Sequence, residues 1–357
     1  MYKHFKIMGA GPAGLIAAIT LARENYEVTV YEKNKECGMR FKGDLQGLEN
    51  WSSRVNVLDE IINFGIETNF DCDPFCSLIG VDSKRQTTKF RSQQPFFYLV
   101  KRGYLPGTLD QGLKEQALEL GIDIRFNTRV HEDEVDIVAS GPVPKRLCAI
   151  DTGIIFETDA EDMAYGMLDD ANSYKGYSYL LITKGYGCMC TVLFDKFSEI
   201  HQQFALVRET FEQITNIKII KPSIVGGYGN FSTKNTFVKG RQLYVGEAAG
   251  LQDLLWGFGI RIALRSGYLA ARCLIEGKDY AAEAKKLFYD SSRASVVNRA
   301  MWEYMGNSGY RLFLSLGRRS KDPKEFLYKL FQYNAWRRLA FPIALWDLRR
   351  RHTKAGY

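Results

Sequence analysis

One stretch near the N-terminus constrains this chain more than anything after it. Gly9-Ala10-Gly11-Pro12-Ala13-Gly14 follows the apolar pair Ile7-Met8, and Glu27-Val28-Thr29-Val30-Tyr31 runs into Glu32. The pattern predicts a strand, a tight glycine turn, a helix, and a second strand with an acid at its end. Gly9 permits the sharp exit from the first strand, Gly11 lets backbone approach a pyrophosphate, and Gly14 lets the helix pack tightly on the sheet. Pro12 falls in the first helical turn, where its missing N–H costs nothing. The helix start then offers unpaired N–H groups and partial positive charge to phosphates. Glu32 lies where a carboxylate takes ribose hydroxyls. A glycine turn without a ligand leaves that acid unexplained, so the stretch points to an α/β fold holding an adenine dinucleotide.

The chain has 357 residues, room for two interleaved domains. A net charge of +7 is modest for that size, and no nucleic-acid partner is expected. No apolar run reaches membrane-spanning length. The first strand begins almost at Met1, leaving no room for a signal peptide, so a cytoplasmic protein is expected. The seven cysteines include Cys72/Cys76 and Cys188/Cys190, but only four histidines exist. Neither pair has the partners of a zinc site, and they read as reduced, buried thiols with no metal and no disulfide framework.

The composition divides the chain. Residues 1–75, 101–149 and 240–277 read as a discontinuous nucleotide domain, 76–100 and 150–239 as a substrate-binding β-sheet domain, and 278–357 as a helical C-terminal region. Lys33 to Asp44, including Arg40 and Gly43, is polar and glycine-punctuated, and reads as a loop crossing over the nucleotide. Asn56–Gly65 and Leu109–Leu120 read as helices, the second closed by Gly121. Strands are expected between Ser77 and Val100, over Ile122–Asn127, and over Val135–Ala139. Tyr177–Ile182 and Cys188–Phe194 look like neighbouring strands joined through Lys184-Gly185-Tyr186-Gly187, followed by a helix from Ile200 to Thr215.

A second glycine-rich site separates flavin from nicotinamide. Gly246-Glu247-Ala248-Ala249-Gly250 supplies a carboxylate and close backbone for a ribityl chain and pyrophosphate. Gly257-Phe258-Gly259-Ile260 opens a long helix whose N-terminus suits the ring edge where negative charge gathers on reduction. With Ala263-Leu264-Arg265-Ser266-Gly267, these motifs resemble the para-hydroxybenzoate-hydroxylase-like flavoproteins, and within them the geranylgeranyl reductase family, over roughly residues 1 to 275. The resemblance implies a Rossmann-like, glutathione-reductase-type FAD-binding domain with an inserted mixed β-sheet. It places Arg102 as the arginine before the helix and Val130 at an adenine contact, with Lys33, Arg40 and Gly43 beside the cofactor. Departures are visible: Glu247 replaces an aspartate, the Asp-Gly motif is represented by Ser140-Gly141, and Phe41-Lys42-Gly43 lacks the cysteine of archaeal reductases. Tyr177 and Tyr179 only echo their substrate strand.

With one nucleotide-binding fold visible, electrons are expected from transient NAD(P)H or a protein carrier. The resemblance implies hydride transfer from flavin to a carbon–carbon double bond of a prenyl lipid. Two alternatives stay open: hydroxylation of an aromatic substrate, and a flavin-holding cyclase without net redox change. Tyr177 and Tyr179 share a strand face by their spacing and are candidate substrate contacts. No residue stands out as catalytic. Cys37, Cys188 and Tyr179 could carry a proton but read as structural, and His131, His201 and His352 lack partner patterns. Arg261, early in its helix, either faces an anion or is a plain surface arginine, the second being the simpler reading. From Tyr328 to Leu348, aromatics and arginines surround Pro342, which would kink a helix there. That segment either lies in a membrane interface or packs on its own domain.

Overall fold

A computed structural model describes residues 4–142, 148–230 and 232–351; His352 lies outside them. β1 (His4–Met8) pairs in parallel with β2 (Glu27–Tyr31), Ile7 opposite Val30, and α1 (Pro12–Arg23) crosses between them. From Ala13 to Leu21 α1 is buried on every face, because sheet lies on one side and helices on the other. The segment expected to remain a loop to Asp44 becomes β3 (Lys42–Glu49) two residues earlier. Gly43 allows this with φ +107°, at a register shift against the neighbouring strand.

α2 (Val57–Asn63) starts on an Asn56 cap and stops before Gly65, whose φ is +78°. Four strands follow: β4 (Cys72–Phe75), β5 (Ser77–Asp82), β6 (Thr87–Arg91) and β7 (Phe97–Gly103). α3 (Leu109–Glu119) is capped by Thr108 and leads to β8 (Asp123–Arg125) and β9 (Ile137–Val138). β10 (Ala149–Glu157), β11 (Met163–Leu168), β12 (Tyr177–Thr183) and β13 (Tyr186–Leu193) come next. The β12–β13 hairpin turns on Lys184 and Gly185, both at positive φ (+51° and +76°), as a twist-matched two-residue turn requires. α4 (Ile200–Thr215), β14 (Ile220–Gly229), β15 (Val238–Lys239) and β16 (Gln242–Tyr244) complete the sheets.

The first sheet runs β15-β16-β9-β1-β2-β8 and is parallel apart from β15. The second runs β14-β10-β13-β12-β11-β5-β6, antiparallel except where β11 meets β5. β3-β7-β4 form a small third sheet between them. This is the α/β architecture expected from the glycine turn, with an inserted mixed sheet and helices after it.

α5 (Ile260–Glu276) lies against α1 so closely that a Cβ on Gly267 would sit 2.1 Å from the Ala13 carbonyl oxygen. α6 (Tyr280–Arg319) breaks at Gly306, where φ 54° and ψ −168° are open only to glycine. Its second half presses on the second sheet at Gly80, where a Cβ would be 2.6 Å from Leu314. α7 (Pro323–Leu330) and α8 (Ala335–Arg351) divide the tail into two helices, and α8 continues through Pro342. The C-terminal helices share a core with the sheets: Trp302 of α6 meets Trp256 at 5.7 Å between ring centroids and clusters with Phe97 and Leu181.

Candidate functional site: a cavity from the glycine turn to an aromatic chamber

One continuous cavity of about 1130 Å³ begins at the glycine turn and ends beneath α6 and α7. That exceeds the roughly 300–1,000 Å³ of ordinary small-molecule pockets. Of the residues singled out from sequence, Gly9, Gly11, Pro12, Ala13, Glu32, Lys33, Arg40, Arg102, Val130, Gly246, Glu247, Gly257, Gly259, Ile260, Tyr177 and Tyr179 border it. Gly14 and Gly43 stand behind the wall. A Cβ on Gly14 would lie 1.9 Å from the Gly9 carbonyl oxygen, and one on Gly43 would lie 2.6 Å from the Tyr186 hydroxyl. Both shape the wall without forming it.

At the outer end, the buried Glu32 carboxylate accepts the Ala10 N–H on Oε2 (3.0 Å) and the Asn34 backbone and side-chain N–H groups on Oε1 (2.9 and 2.7 Å). Oε2 keeps an acceptor direction toward the cavity among the described residues, fit for a sugar hydroxyl. Above Gly11 a Cβ would meet nothing within 4 Å, so backbone is open to a ligand there.

Two helix N-termini face this cavity, and both lack a side-chain cap. α1 begins at Gly11 and α5 at Gly259, and neither has an acid in its first turn. By contrast α2, α3, α6 and α7 begin on capping side chains from Asn56, Thr108, Asp279 and Asp322. Unpaired N–H groups and positive partial charge therefore point at the same volume from two directions. The residues present fit a dinucleotide: the α1 start would hold its phosphates and the α5 start would face its ring.

Between these ends the side chain of Arg40 reaches Glu247 (Nη1 to Oε2, 2.8 Å) and the Tyr228 carbonyl oxygen. Glu247 also accepts the Asn230 N–H at 3.0 Å. Glu247, one methylene longer than the aspartate it replaces, thus joins the loop after β2 to the turn after β16. Gly246, at φ +58°, donates its N–H to Ser266 Oγ at 2.8 Å and fixes that turn on α5. Arg102 is buried in a two-pronged pair with Asp110 (2.8 and 2.9 Å) and turns Nη1 toward Gln46 (3.3 Å).

The inner end is built from side chains. Tyr177 and Tyr179 lie on one face of β12, ring centroids 6.1 Å apart. Leu78, Phe90, Phe97 and Leu181 extend the wall, and Phe313, Leu314, Phe326 and Leu327 of α6 and α7 close it. Burial raises the pKa of both tyrosine hydroxyls and keeps them neutral. The Tyr177 hydroxyl is already committed to the Trp256 carbonyl oxygen.

Three residues at the junction escaped the sequence reading. Asp44 and Gln46 come from β3 and Asp151 from β10, and all border the cavity. Burial pushes the Asp151 carboxyl up to about 6, reinforced by Asp44 and opposed by Arg40. Burial also raises Asp44. No motif marks a carboxylate inside a strand; only its position opposite another acid makes it noticeable.

Other expectations change. Arg261 is not a surface residue: it is 2% exposed, with Nε on Glu60 (2.8 Å) and Nη2 on the Val55 carbonyl oxygen (2.7 Å). Arg265 binds the same Glu60 at 2.6 Å. Two cations at the start of α5 oppose its dipole, and Glu60 of α2 and Glu49 of β3 offset them while tying α5 to both elements. Cys37 and Cys188 are buried within the nucleotide domain and the sheet core, away from the cavity wall. His131 borders the outer end and His201 is exposed on α4.

A model of the NAD(P)-binding Rossmann-like domain matches residues 7–47. The NAD-dependent dihydropyrimidine dehydrogenase subunit PreT homolog of Salmonella typhi is 32% identical over 135 residues, 37% of this chain and 30% of that protein. The chain thus spans less than a third of that longer relative. Solved structures match nearly end to end. A geranylgeranyl bacteriochlorophyll reductase-like protein from Thermoplasma acidophilum superposes with a TM-score of 0.72 at 14% identity, over 98% of this chain and 100% of that one. The flavin-dependent brominase Bmp2 follows with 0.66 at 15% identity, over 98% and 100%. The chain has the fold of FAD-dependent oxidoreductases. That fold accounts for the arrangement of the cavity, with one Rossmann-like sheet at its outer end and the inserted sheet at its inner end.

Proposed function

We propose that this protein is an FAD-dependent oxidoreductase that reduces carbon–carbon double bonds of a prenyl lipid. The observation that carries the reading is the shape and lining of the cavity. It continues past the uncapped start of α5 into a chamber walled by Leu78, Phe90, Phe97, Leu181, Phe313, Leu314, Phe326 and Leu327. A branched hydrocarbon chain gains from burying its surface there, at about 25 cal/mol per Å².

The cofactor would be held by Glu32 on its adenosine ribose, by the α1 N-terminus and Gly11 on its phosphates, and by the backbone of Gly257 to Ile260 along its ring. When bound, FAD supplies the hydride chemistry and accepts its electrons from NAD(P)H or a protein carrier. The chain's own share is position, dryness and a proton. The aromatic wall excludes water from the reacting carbons, the α5 N-terminus stabilises negative charge on the ring edge, and Asp151 can carry a proton near neutral pH.

The test is anaerobic. FAD-loaded protein reduced with dithionite is mixed with a geranylgeranyl lipid and analysed by mass spectrometry. Saturated product supports the reading. Reduced flavin that leaves the lipid unchanged sinks it.

One observation favours a second reading, hydroxylation of an aromatic compound. Asp44, Gln46 and Asp151 make the junction polar, and a phenol-sized ring could hydrogen-bond there. Oxygen consumption driven by NAD(P)H and stimulated by a phenol distinguishes it.

A further inference from the structure

α8 is apolar on the face it buries and again on the face it leaves open. Inward, Ala344 and Leu348 pack with Val296, Val297 and Ala300 of α6. The buried Arg337 donates to Asn298 Oδ1 (3.1 Å) and to the Gln332 carbonyl oxygen (2.9 Å). Asp347, the helix's one acid, is also turned in, where it binds Tyr304 (2.8 Å) and Arg351. The helix is therefore seated on its own domain without help from its outer side chains.

That outer face carries Trp336, Leu339, Ile343 and Trp346, which are 44, 80, 70 and 61% exposed. Their spacing of three, four and three residues places them on one stripe about 15 Å long. Pro342 is exposed beside them. Arg338 and Arg349 border the stripe, and Arg350 lies over the Trp346 ring at 4.9 Å. Asp347, Arg337 and Arg351 are engaged inward and Arg350 reaches Asp347 at 4.0 Å, so the outward face carries apolar and cationic groups.

We propose that this face of α8 docks on a membrane surface rich in anionic lipid. Tryptophans and aliphatic side chains on one stripe, bordered by cations, suit the boundary between headgroups and acyl chains. The arginines suit anionic headgroups. A second copy of the chain fits less well. Two-fold pairing of this stripe would bring Arg338 and Arg349 of the two copies together with no outward acid from α8 beside them. Among the described residues no helix is long and apolar enough to cross a membrane, so contact is along α8 and not through the bilayer. The proposal does not depend on the reaction catalysed.

The two sides of the helix make opposite predictions. The full chain is mixed with phosphatidylcholine vesicles, with and without phosphatidylglycerol, and followed by flotation and tryptophan emission. Wild type is expected to float with the anionic vesicles and shift its emission to the blue. The double variant Leu339→Glu/Ile343→Glu should lose at least about tenfold in partitioning. Replacing Arg338, Arg349 and Arg350 by alanine should cost about fivefold per arginine and flatten the salt dependence. Each variant is checked by circular dichroism and by its flavin content, and Ile343→Ser alone serves if the double variant does not fold. Equal flotation of wild type and the apolar variant overturns the proposal, as does absence of wild-type binding to anionic vesicles. A dimer seen by light scattering that Leu339→Glu/Ile343→Glu dissociates, with no vesicle binding, assigns the face to a second copy instead.

Discussion

The two ends of the cavity are made of different material. The outer end and the passage leading from it are largely main chain: Gly9, Gly11, the bare α1 N-terminus and one carboxylate held by Ala10 and Asn34, then Gly246 and the bare α5 N-terminus. The inner end is side chain, with aromatic and aliphatic groups delivered by two sheets and by helices far along the chain. Main chain presents the same N–H and C=O groups whatever the sequence, so an outer site can be specified only by which residues are absent or small. An inner wall of interchangeable apolar side chains tolerates many solutions of similar volume. The first end is rigid in its requirements, the second permissive.

The largest expected effect tests the rigid end. Gly14→Val places a side chain where a Cβ alone would lie 1.9 Å from the Gly9 carbonyl oxygen. Backbone cannot yield there without opening the turn, so the variant should hold no flavin and should show a disordered near-ultraviolet spectrum. A folded, yellow Gly14→Val protein would break the distinction between the ends at once.

This contrast also explains what could be read from sequence. Gly9, Gly11, Gly14 and Glu32 sit at spacings set by one turn of backbone, and the structure places three of them on the cavity wall and Gly14 behind it. The start of α5 was legible for the same reason. The chamber was not: Phe90, Leu314 and Phe326 are brought together by sheet order and by the break at Gly306, neither of which leaves a short-range pattern. Arg261 was misjudged because helix position alone shows an unfavourable cation, while its remedy, Glu60, is far away in sequence. Asp151 and Asp44 meet only because β10 and β3 face one cavity. The tail from Tyr328 to Leu348 left membrane interface and packing on its own domain both open because sequence cannot show that one helix has two apolar faces.

A smaller effect sharpens the outer end. Glu32→Ala removes the acceptor for a sugar hydroxyl and for the Ala10 N–H, while the glycine turn itself remains. A charged hydrogen bond contributes about 1.5–3 kcal/mol, so FAD affinity should fall roughly ten- to a hundredfold. Flavin titration by fluorescence quenching measures it, and an unchanged dissociation constant would move the adenosine away from this carboxylate. At the inner end, Leu327→Arg should do the reverse: flavin binding within about twofold of wild type, and turnover of a long apolar substrate reduced roughly a hundredfold by a charge without a partner. If both properties fall together, the two ends are not separable.

The smallest effect lies at the junction, where the two kinds of wall meet. Burial raises the Asp151 carboxyl from its ordinary 3.8 to about 6. A group whose native pKa is raised binds its proton more tightly folded than unfolded, so this carboxyl disfavours the native state once it is ionised. The destabilisation is absent below about pH 4, grows as pH rises toward 6, and is complete above it. At 1.36 kcal/mol per unit, its upper bound is on the order of 3 kcal/mol. Asp151→Asn should therefore raise the melting temperature at pH 7.5 relative to wild type, with little change at pH 4, where both side chains are neutral. The same proton marks activity: if Asp151 delivers it, wild-type turnover falls as pH rises through about 6, and the asparagine variant is slow and flat with pH. A stability gain without any change in the pH–rate profile would leave Asp151 as part of the wall and assign the proton to another group.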